Sequence, residues 1–149
     1  MGEFRLTRAV ALPADEAWSR VTDWRGHAAQ VPLTAVRVMT PPPTGVGTRF
    51  VARSGVGRAC FDDPMEVVGW EPPAGGRPGR CRLEKRGSVI TGWAEIEVLP
   101  QGPGAVVVWV EQLHIRFLPR LLDPLVARAG RLVFGRALDG LLLGSSSHV

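Results

Sequence analysis

Glu111 is the one carboxylate that strand alternation places on the inner face of a predicted β-sheet. In the segment Ala105–Phe117, the odd-numbered Leu113 and Ile115 are apolar, and alternation carries Trp109 and Glu111 to the same face. A buried carboxylate needs a partner, a proton or nearby water. We therefore interpret Glu111 as a candidate polar anchor for a ligand or as a general base. A structural pair with an arginine, or a position on the rim, is the alternative.

Two further side chains bear on this interpretation. The even-numbered face of the same segment would instead bring His114 inward with a run of valines, and the sequence leaves that alternative open. Arg136 lies within the predicted apolar arc of a C-terminal helix, where it could pair with Glu111 or contact an acidic group of a ligand. The alternative for Arg136 is a solvated position in which only its stem covers apolar surface.

The sequence has no motif for other chemistry. Cys60 and Cys81 lack the CxxC spacing of a metal or redox site and are predicted to be packed, reduced thiols. Neither a Ser/His/Asp order nor HExxH occurs, and GVGTRF (Gly45–Phe50) lacks the third glycine of a dinucleotide-binding loop. We therefore expect neither a metal nor a cofactor.

Size and composition are those of a soluble globular domain. The 149 residues are 45% hydrophobic and 21% charged, and no apolar run is long enough for a transmembrane segment. The net charge is +4, the arginines are scattered, and Lys85 is the only lysine, so a nucleic-acid partner is not expected. The N-terminus lacks the apolar segment of a secretion signal, which favours a cytoplasmic location. One domain is predicted over residues 1–149, with a core at about 3–143 and a disordered tail at 144–149.

The elements that would position these residues are strands followed by one long helix. A first strand (Phe4–Leu12) precedes a helix opened by Pro13 and a second short helix or turn at Gly26–Gln30. Further antiparallel strands follow, each with an apolar inner face. The predicted strands are Ala35–Met39, Thr48–Ser54, Arg58–Asp62, Met65–Trp70, Arg80–Arg86, Ser88–Leu99 and Ala105–Phe117. The inner residues include Val36, Val38, Phe50, Ala52, Cys81, Leu83, Ile90, Ala94, Ile96 and Val98.

The stretch Leu118–Leu143 is the only long helical pattern. Most of its leucines and valines fall on one broad arc with arginines opposite, so this arc is predicted to face the core. The arc consists of Leu121, Leu122, Leu125, Val126, Ala129, Leu132, Val133 and Ala137. A second apolar stripe late in the helix is a candidate homodimer face. Its members are Phe134, Leu138, Leu141, Leu142 and Leu143.

The element order resembles that of the START-like superfamily, in its polyketide cyclase/dehydrase and lipid-transport (SRPBCC) branch. The segment VALPADEAWSRVTDW resembles the family's first strand and helix, GVGTRF its entry into a strand, and EVVGWEPP (Glu66–Pro73) its strand-to-loop signature. The last strand runs through Leu-Pro-x-Leu-Leu into the long helix, as in the family. The resemblance covers about residues 3–143. It implies an α+β helix-grip fold: a curved antiparallel sheet wrapped around a long C-terminal helix, with two short helices after the first strand and a cavity for an apolar ligand.

Function is accordingly predicted as the binding or carriage of a lipid-like or polyketide-like small molecule between sheet and helix. The alternatives are a cyclase or dehydratase that uses Glu111 as acid and base, and a protein-interaction module that uses the C-terminal helix. The resemblance by itself does not imply an enzyme. The residues expected to line the ligand site are Phe50, Cys81, Leu83, Trp109, Glu111, Leu125, Ala129 and Arg136.

Overall fold

The computed structural model describes residues 3–31, 33–116 and 118–143, and this part of the chain forms seven strands and three α-helices. Strand β1 (Glu3–Val10) leads into α1 (Ala14–Val21) and α2 (Trp24–Gln30). The other strands are β2 (Thr34–Val38), β3 (Arg49–Val56), β4 (Ala59–Glu71), β5 (Gly79–Arg86), β6 (Ile90–Gln101) and β7 (Gly104–Ile115). A 3₁₀ turn at Arg120–Leu122 precedes α3 (Asp123–Leu143). The tail predicted to be disordered, 144–149, lies outside the described residues.

All seven strands belong to one antiparallel sheet in the order β1-β7-β6-β5-β4-β3-β2. The sheet curls around α3, which confirms the predicted helix-grip architecture. Helix α3 packs mainly against β1, β7, α1 and α2. Its remaining inner side faces the middle strands across a cavity.

The strands present the inner faces that alternation predicts. In β7, the odd-numbered Trp109, Glu111 and Leu113 are buried, so the odd-face prediction is confirmed. His114 lies on the other face, and its Nδ1 is 2.9 Å from Oδ1 of Asp123 at the start of α3. Alternation succeeds here because successive side chains of a strand point to opposite faces, whatever that strand pairs with.

Strand β4 is longer than the sequence suggests. Arg58–Asp62 and Met65–Trp70, predicted as separate strands, belong almost entirely to β4, and Pro64 lies in its interior opposite Val51 of β3. Proline is expected at strand breaks because it cannot donate a backbone hydrogen bond. Here β4 pairs with β5 only from Met65 onward. Pro64 therefore lies beyond that ladder, and its missing N–H leaves no β5 carbonyl unpaired.

Helix α3 is rotated relative to the prediction. Leu121, Leu125 and Leu132, predicted to face the core, are 86%, 60% and 63% exposed. The buried residues of the helix are Asp123, Ala127, Gly135, Ala137, Leu138, Leu141 and Leu142, of which Ala137 belongs to the predicted arc. Small residues explain the difference, since a Cβ on Gly130 would lie 2.9 Å from Cε1 of Phe4. The helix approaches β1 at Gly130 and Gly135, where leucine side chains would not fit.

Four residues of the predicted homodimer face pack within this fold, and nothing is described for the side chain of the fifth, Leu143. Leu138, Leu141 and Leu142 are buried, and Phe134 stacks on Phe4 with 5.9 Å between ring centroids. These side chains hold α3 against the rest of the fold. Among the described residues, no helix is both long enough and apolar enough to span a membrane.

Candidate ligand-binding site

A cavity of about 430 Å³ lies between the sheet and α3. Strands β3, β4, β5 and β7 contribute its floor, α3 covers it, and α2 closes one side. Most lining side chains are apolar, and two of them, Phe61 and Val133, are exposed to solvent. This volume and this lining are typical of sites for small apolar ligands.

Aromatic rings form a continuous wall of the cavity. Trp24 of α2 stacks on Phe50 of β3 with 4.8 Å between ring centroids. His27 of α2 meets Trp109 edge-on at 5.0 Å, and Trp109 stacks on Phe134 of α3 at 5.8 Å. The wall therefore joins α2, the sheet and α3, and it offers flat apolar surface to a ligand.

Three ionisable side chains meet on the cavity floor, and Asp63, Lys85 and Glu111 are together called the polar cluster. Lys85 Nζ of β5 donates a hydrogen bond to Asp63 Oδ2 of β4 at 2.8 Å and lies 4.0 Å from Glu111 Oε2 of β7. Trp109 Nε1 donates to Glu111 Oε1 at 3.3 Å. The side chains of Lys85 and Glu111 are each 3% exposed. One ammonium group thus faces two carboxyl groups in a largely apolar space.

Strand β6 allows Lys85 and Glu111 to approach each other. The two residues lie on β5 and β7, which flank β6 and are therefore about 10 Å apart. Their partners on β6 are Gly92 and Ala94, so little side-chain volume lies between them. Gly92 has a φ of +132°, and a Cβ there would collide with the backbone oxygen of Gln112. The long lysine side chain crosses the gap that these small residues leave.

Burial and charge together set the protonation of the polar cluster. Burial raises the pKa of Glu111 above its ordinary value of 4.5, the Lys85 ammonium opposes this shift, and Asp63 adds to it. Burial acts to lower the pKa of Lys85, but attraction to Glu111 and Asp63 and the hydrogen bond to Asp63 outweigh it and raise the pKa. The raised pKa of Lys85 favours the ammonium that donates to Asp63, and the raised pKa of Glu111 favours the protonated form of that carboxyl group.

His27 provides an acceptor on the helical side of the cavity. Asp23 caps α2 by accepting a hydrogen bond from the backbone N–H of Gly26 at 3.1 Å, which fixes the helix start three residues before His27. His27 Nε2 lies 2.6 Å from the backbone oxygen of Val21, so Nε2 carries the proton and Nδ1 holds a lone pair. Burial lowers the pKa of His27, although the Val21 bond and Asp23 oppose the shift, and the ring is neutral.

Buried polar atoms without partners concentrate at this cavity. Within the described residues, the buried side-chain atoms that lack a hydrogen-bond partner are Trp24 Nε1, His27 Nδ1, Asp63 Oδ1 and Glu111 Oε2. All four residues line the cavity. An unsatisfied buried polar group costs about 1–3 kcal/mol. Their concentration here indicates a place for a molecule that forms hydrogen bonds with them.

The structure brings together most of the predicted site residues. The ones that line the cavity are Phe50, Leu83, Trp109, Glu111 and Ala129. Cys81 lies on the inner face of β5 but within the core, where burial raises the pKa of its thiol to about 12. Leu125 and Arg136 lie on the exposed side of α3, because the helix is rotated away from the predicted arc. The cation beside Glu111 is accordingly Lys85 and not Arg136.

Sequence reasoning misses Asp63 and Lys85. The alternation that places Cys81 and Leu83 inside continues to Lys85, so one further step along the strand would identify it. Because lysine is rarely buried, the residue type favours an exposed position for Lys85, and this expectation outweighs the alternation of the strand. Asp63 is missed because the sequence predicts a break between strands at Asp63 and Pro64, so alternation is not applied to it, whereas β4 is continuous there.

Comparison with known proteins gives a sequence family and a set of structural neighbours. Residues 1–142 match the family described as polyketide cyclase / dehydrase and lipid transport. No curated protein matches the sequence significantly.

Three solved structures illustrate the structural likeness. A START superfamily protein from Mycobacterium smegmatis is 14% identical, with 94% of this chain and 96% of that chain covered and a TM-score of 0.72. The Zhui aromatase/cyclase from Streptomyces sp. R1128 is 16% identical, with 97% and 93% covered and a TM-score of 0.67. A STAR-related lipid transfer protein from Xanthomonas axonopodis is 16% identical, with 93% and 85% covered and a TM-score of 0.66. At these identities the neighbours establish the fold alone. Because the family match extends over nearly the whole chain, the protein belongs to the polyketide cyclase/dehydrase and lipid transport family.

Proposed function

We propose that this protein binds an apolar small molecule in the cavity between the sheet and α3. The observation that carries the proposal is an aromatic-lined cavity of about 430 Å³ to which the unpartnered buried polar atoms belong. An apolar ligand gains roughly 25 cal/mol for each Å² of surface that it buries there. The polar cluster and His27 supply the few polar contacts that orient a ligand. The family description, which includes lipid transport, supports the same function.

Filling the cavity is expected to weaken binding while the protein stays folded. Ala52 lies on the inner face of β3 and lines the cavity, so Ala52→Phe places a ring in the ligand's space. Titration with N-phenylnaphthylamine, an uncharged fluorescent dye, should show binding at least about tenfold weaker than that of the wild type. Ala35→Phe makes the same change on the exposed face of the neighbouring strand β2 and should bind the dye like the wild type.

A wild-type protein that binds no dye, or two variants that bind it equally well, would contradict the proposal. Thermal melts of both variants separate a loss of binding from a loss of folding. Native mass spectrometry of freshly purified protein complements the titration, because a co-purified ligand gives an additional mass.

Acid–base catalysis on the bound molecule is a second candidate function, which His27 and the polar cluster favour. A neutral imidazole with a free lone pair and a carboxyl group whose pKa burial raises are a candidate base and a candidate acid in one cavity. The family description includes cyclase / dehydrase, and the Streptomyces neighbour is an aromatase/cyclase. Glu111→Gln distinguishes the two functions. If the protein is a carrier, the substitution changes only the affinity for the ligand. If the protein is an enzyme, the substitution also slows conversion of a co-purified ligand to product, which mass spectrometry follows as a change in the mass of the ligand.

A further inference from the structure

The charges in the polar cluster limit which net charge the ligand proposed above can carry. The titratable residues that line the cavity are His27, Asp63, Lys85 and Glu111. Among the described lining residues Lys85 is the only permanently cationic type, and Asp63 already accepts a hydrogen bond from it at 2.8 Å. With two carboxyl groups and one ammonium, the polar cluster has no positive charge left to balance an anionic ligand.

The space between Lys85 and Glu111 has the width of one bridging oxygen atom. Nζ and Oε2 are 4.0 Å apart, which is too long for a direct hydrogen bond. An oxygen about 2.8 Å from each atom would bond to both of them. Lys85 has three N–H donors. One is used on Asp63 and one points to Met65 Sδ at 3.7 Å, so the third is left for the bridging oxygen.

We propose that the ligand is an uncharged apolar molecule with a carbonyl group, and that its carbonyl oxygen binds between Lys85 Nζ and Glu111 Oε2. A carbonyl oxygen has two lone pairs, which match one N–H of the ammonium and the O–H of a protonated Glu111. A carboxylate at the same place would bring a third carboxyl group to a single ammonium, and its desolvation would not be compensated. The inference rests on the proposed binding function and narrows the class of ligand.

Displacement of N-phenylnaphthylamine by three compounds with the same number of carbon atoms tests this inference. Methyl nonyl ketone, undecanoate and undecane differ only at the polar end. In the wild type, the ketone is expected to displace the dye at a concentration at least about tenfold lower than either of the others, the factor typical of a hydrogen bond to a charged group. Undecanoate that binds as tightly as the ketone, or more tightly, overturns the inference.

Two double variants locate the carbonyl. Asp63→Asn with Glu111→Gln removes both carboxyl groups and leaves Lys85 without a counter-ion, so selectivity should shift toward undecanoate by about tenfold or more. Asp62→Asn with Glu84→Gln makes the same two changes at adjacent, solvent-exposed side chains of β4 and β5 and should keep the wild-type selectivity. An equal shift in both double variants, or a shift in neither, would show that the oxygen does not bind at the polar cluster.

The wild-type titration decides the inference even where a double variant does not fold. If the dye does not bind at all, the proposed binding function fails together with the inference. If undecane displaces the dye as well as the ketone does, the apolar site stands and only the carbonyl anchor is wrong. Glu111→Leu gives an independent check, because it should weaken ketone binding about tenfold and change undecane binding by less than about twofold.

Discussion

Lys85→Met is expected to lower the free energy of unfolding by about 3 kcal/mol. The Lys85 side chain is 3% exposed, and its ammonium group is hydrogen-bonded to Asp63 and lies 4.0 Å from Glu111. Removing one partner of a buried ion pair typically costs roughly 3–5 kcal/mol, because the other partner stays buried without compensation. The cavity that Asp63 lines can admit water, which places this case at the lower end of the range. Urea unfolding at neutral pH measures the loss.

A triple variant separates the role of charge from that of packing. Adding Asp63→Asn and Glu111→Gln to Lys85→Met removes every ionisable group of the polar cluster. Most of the lost stability should then return, because no uncompensated charge remains. A triple variant as unstable as Lys85→Met alone would instead assign the loss to the packing of the lysine stem.

The pH dependence of Glu111→Gln tests the direction of the pKa shift at Glu111. Because burial raises the pKa of Glu111 in the folded protein, the folded state holds a proton that the unfolded chain releases near pH 4.5. The stability that this proton contributes is complete below pH 4.5 and is lost as the pH rises through the folded-state pKa. The stability of the wild type relative to the glutamine variant should therefore fall with rising pH. A relative stability that increases with pH would mean that Lys85 keeps Glu111 ionised.

Leu138→Ala is expected to cost about 2–5 kcal/mol, whereas Leu132→Ala on the same helix should stay within about 0.5 kcal/mol. Leu138 is fully buried, so its truncation leaves a cavity in the core, while Leu132 is 63% exposed and loses little contact. Denaturant melts with unchanged slopes measure both values. The reverse ranking would mean that α3 presents its leucine arc to the core, as the sequence pattern predicts.

Strand faces and element order were accessible from the sequence because both depend on local rules. Alternation within β7 puts Trp109 and Glu111 on the same face as Leu113, since neighbouring strands cannot change which side of the backbone a residue occupies, and the structure shows that this face is the buried one. The same alternation in β5 puts Lys85 on the face that carries Leu83, two residues earlier. The order of strands and helices, together with the matching segments, indicated the helix-grip fold and its family.

The rotation of α3 depended on the surface that it meets. Several arcs of this helix are apolar, and hydrophobicity alone favours the one with most leucines. The structure buries the side that carries Gly135, Leu138 and Leu142 instead, because the helix comes close to Phe4 and Leu6 of β1 at Gly130 and Gly135, which have no side chain. A pattern within one segment does not contain the shape of its partner, so the exposure of Leu125 and Leu132 could not be read from it.

The polar cluster shows most clearly what the sequence determined and what only the tertiary structure decided. The sequence determined that Glu111 shares a strand face with Trp109 and Leu113, and that Lys85 shares one with Cys81 and Leu83, because both follow from alternation. It did not determine that Glu111 and Lys85 meet, since they lie on strands that flank β6 and touch only through the register that sets Gly92 and Ala94 between them. Strand pairing joins residues far apart in the chain, and the pKa of Glu111 depends on the neighbours and the burial that this pairing creates.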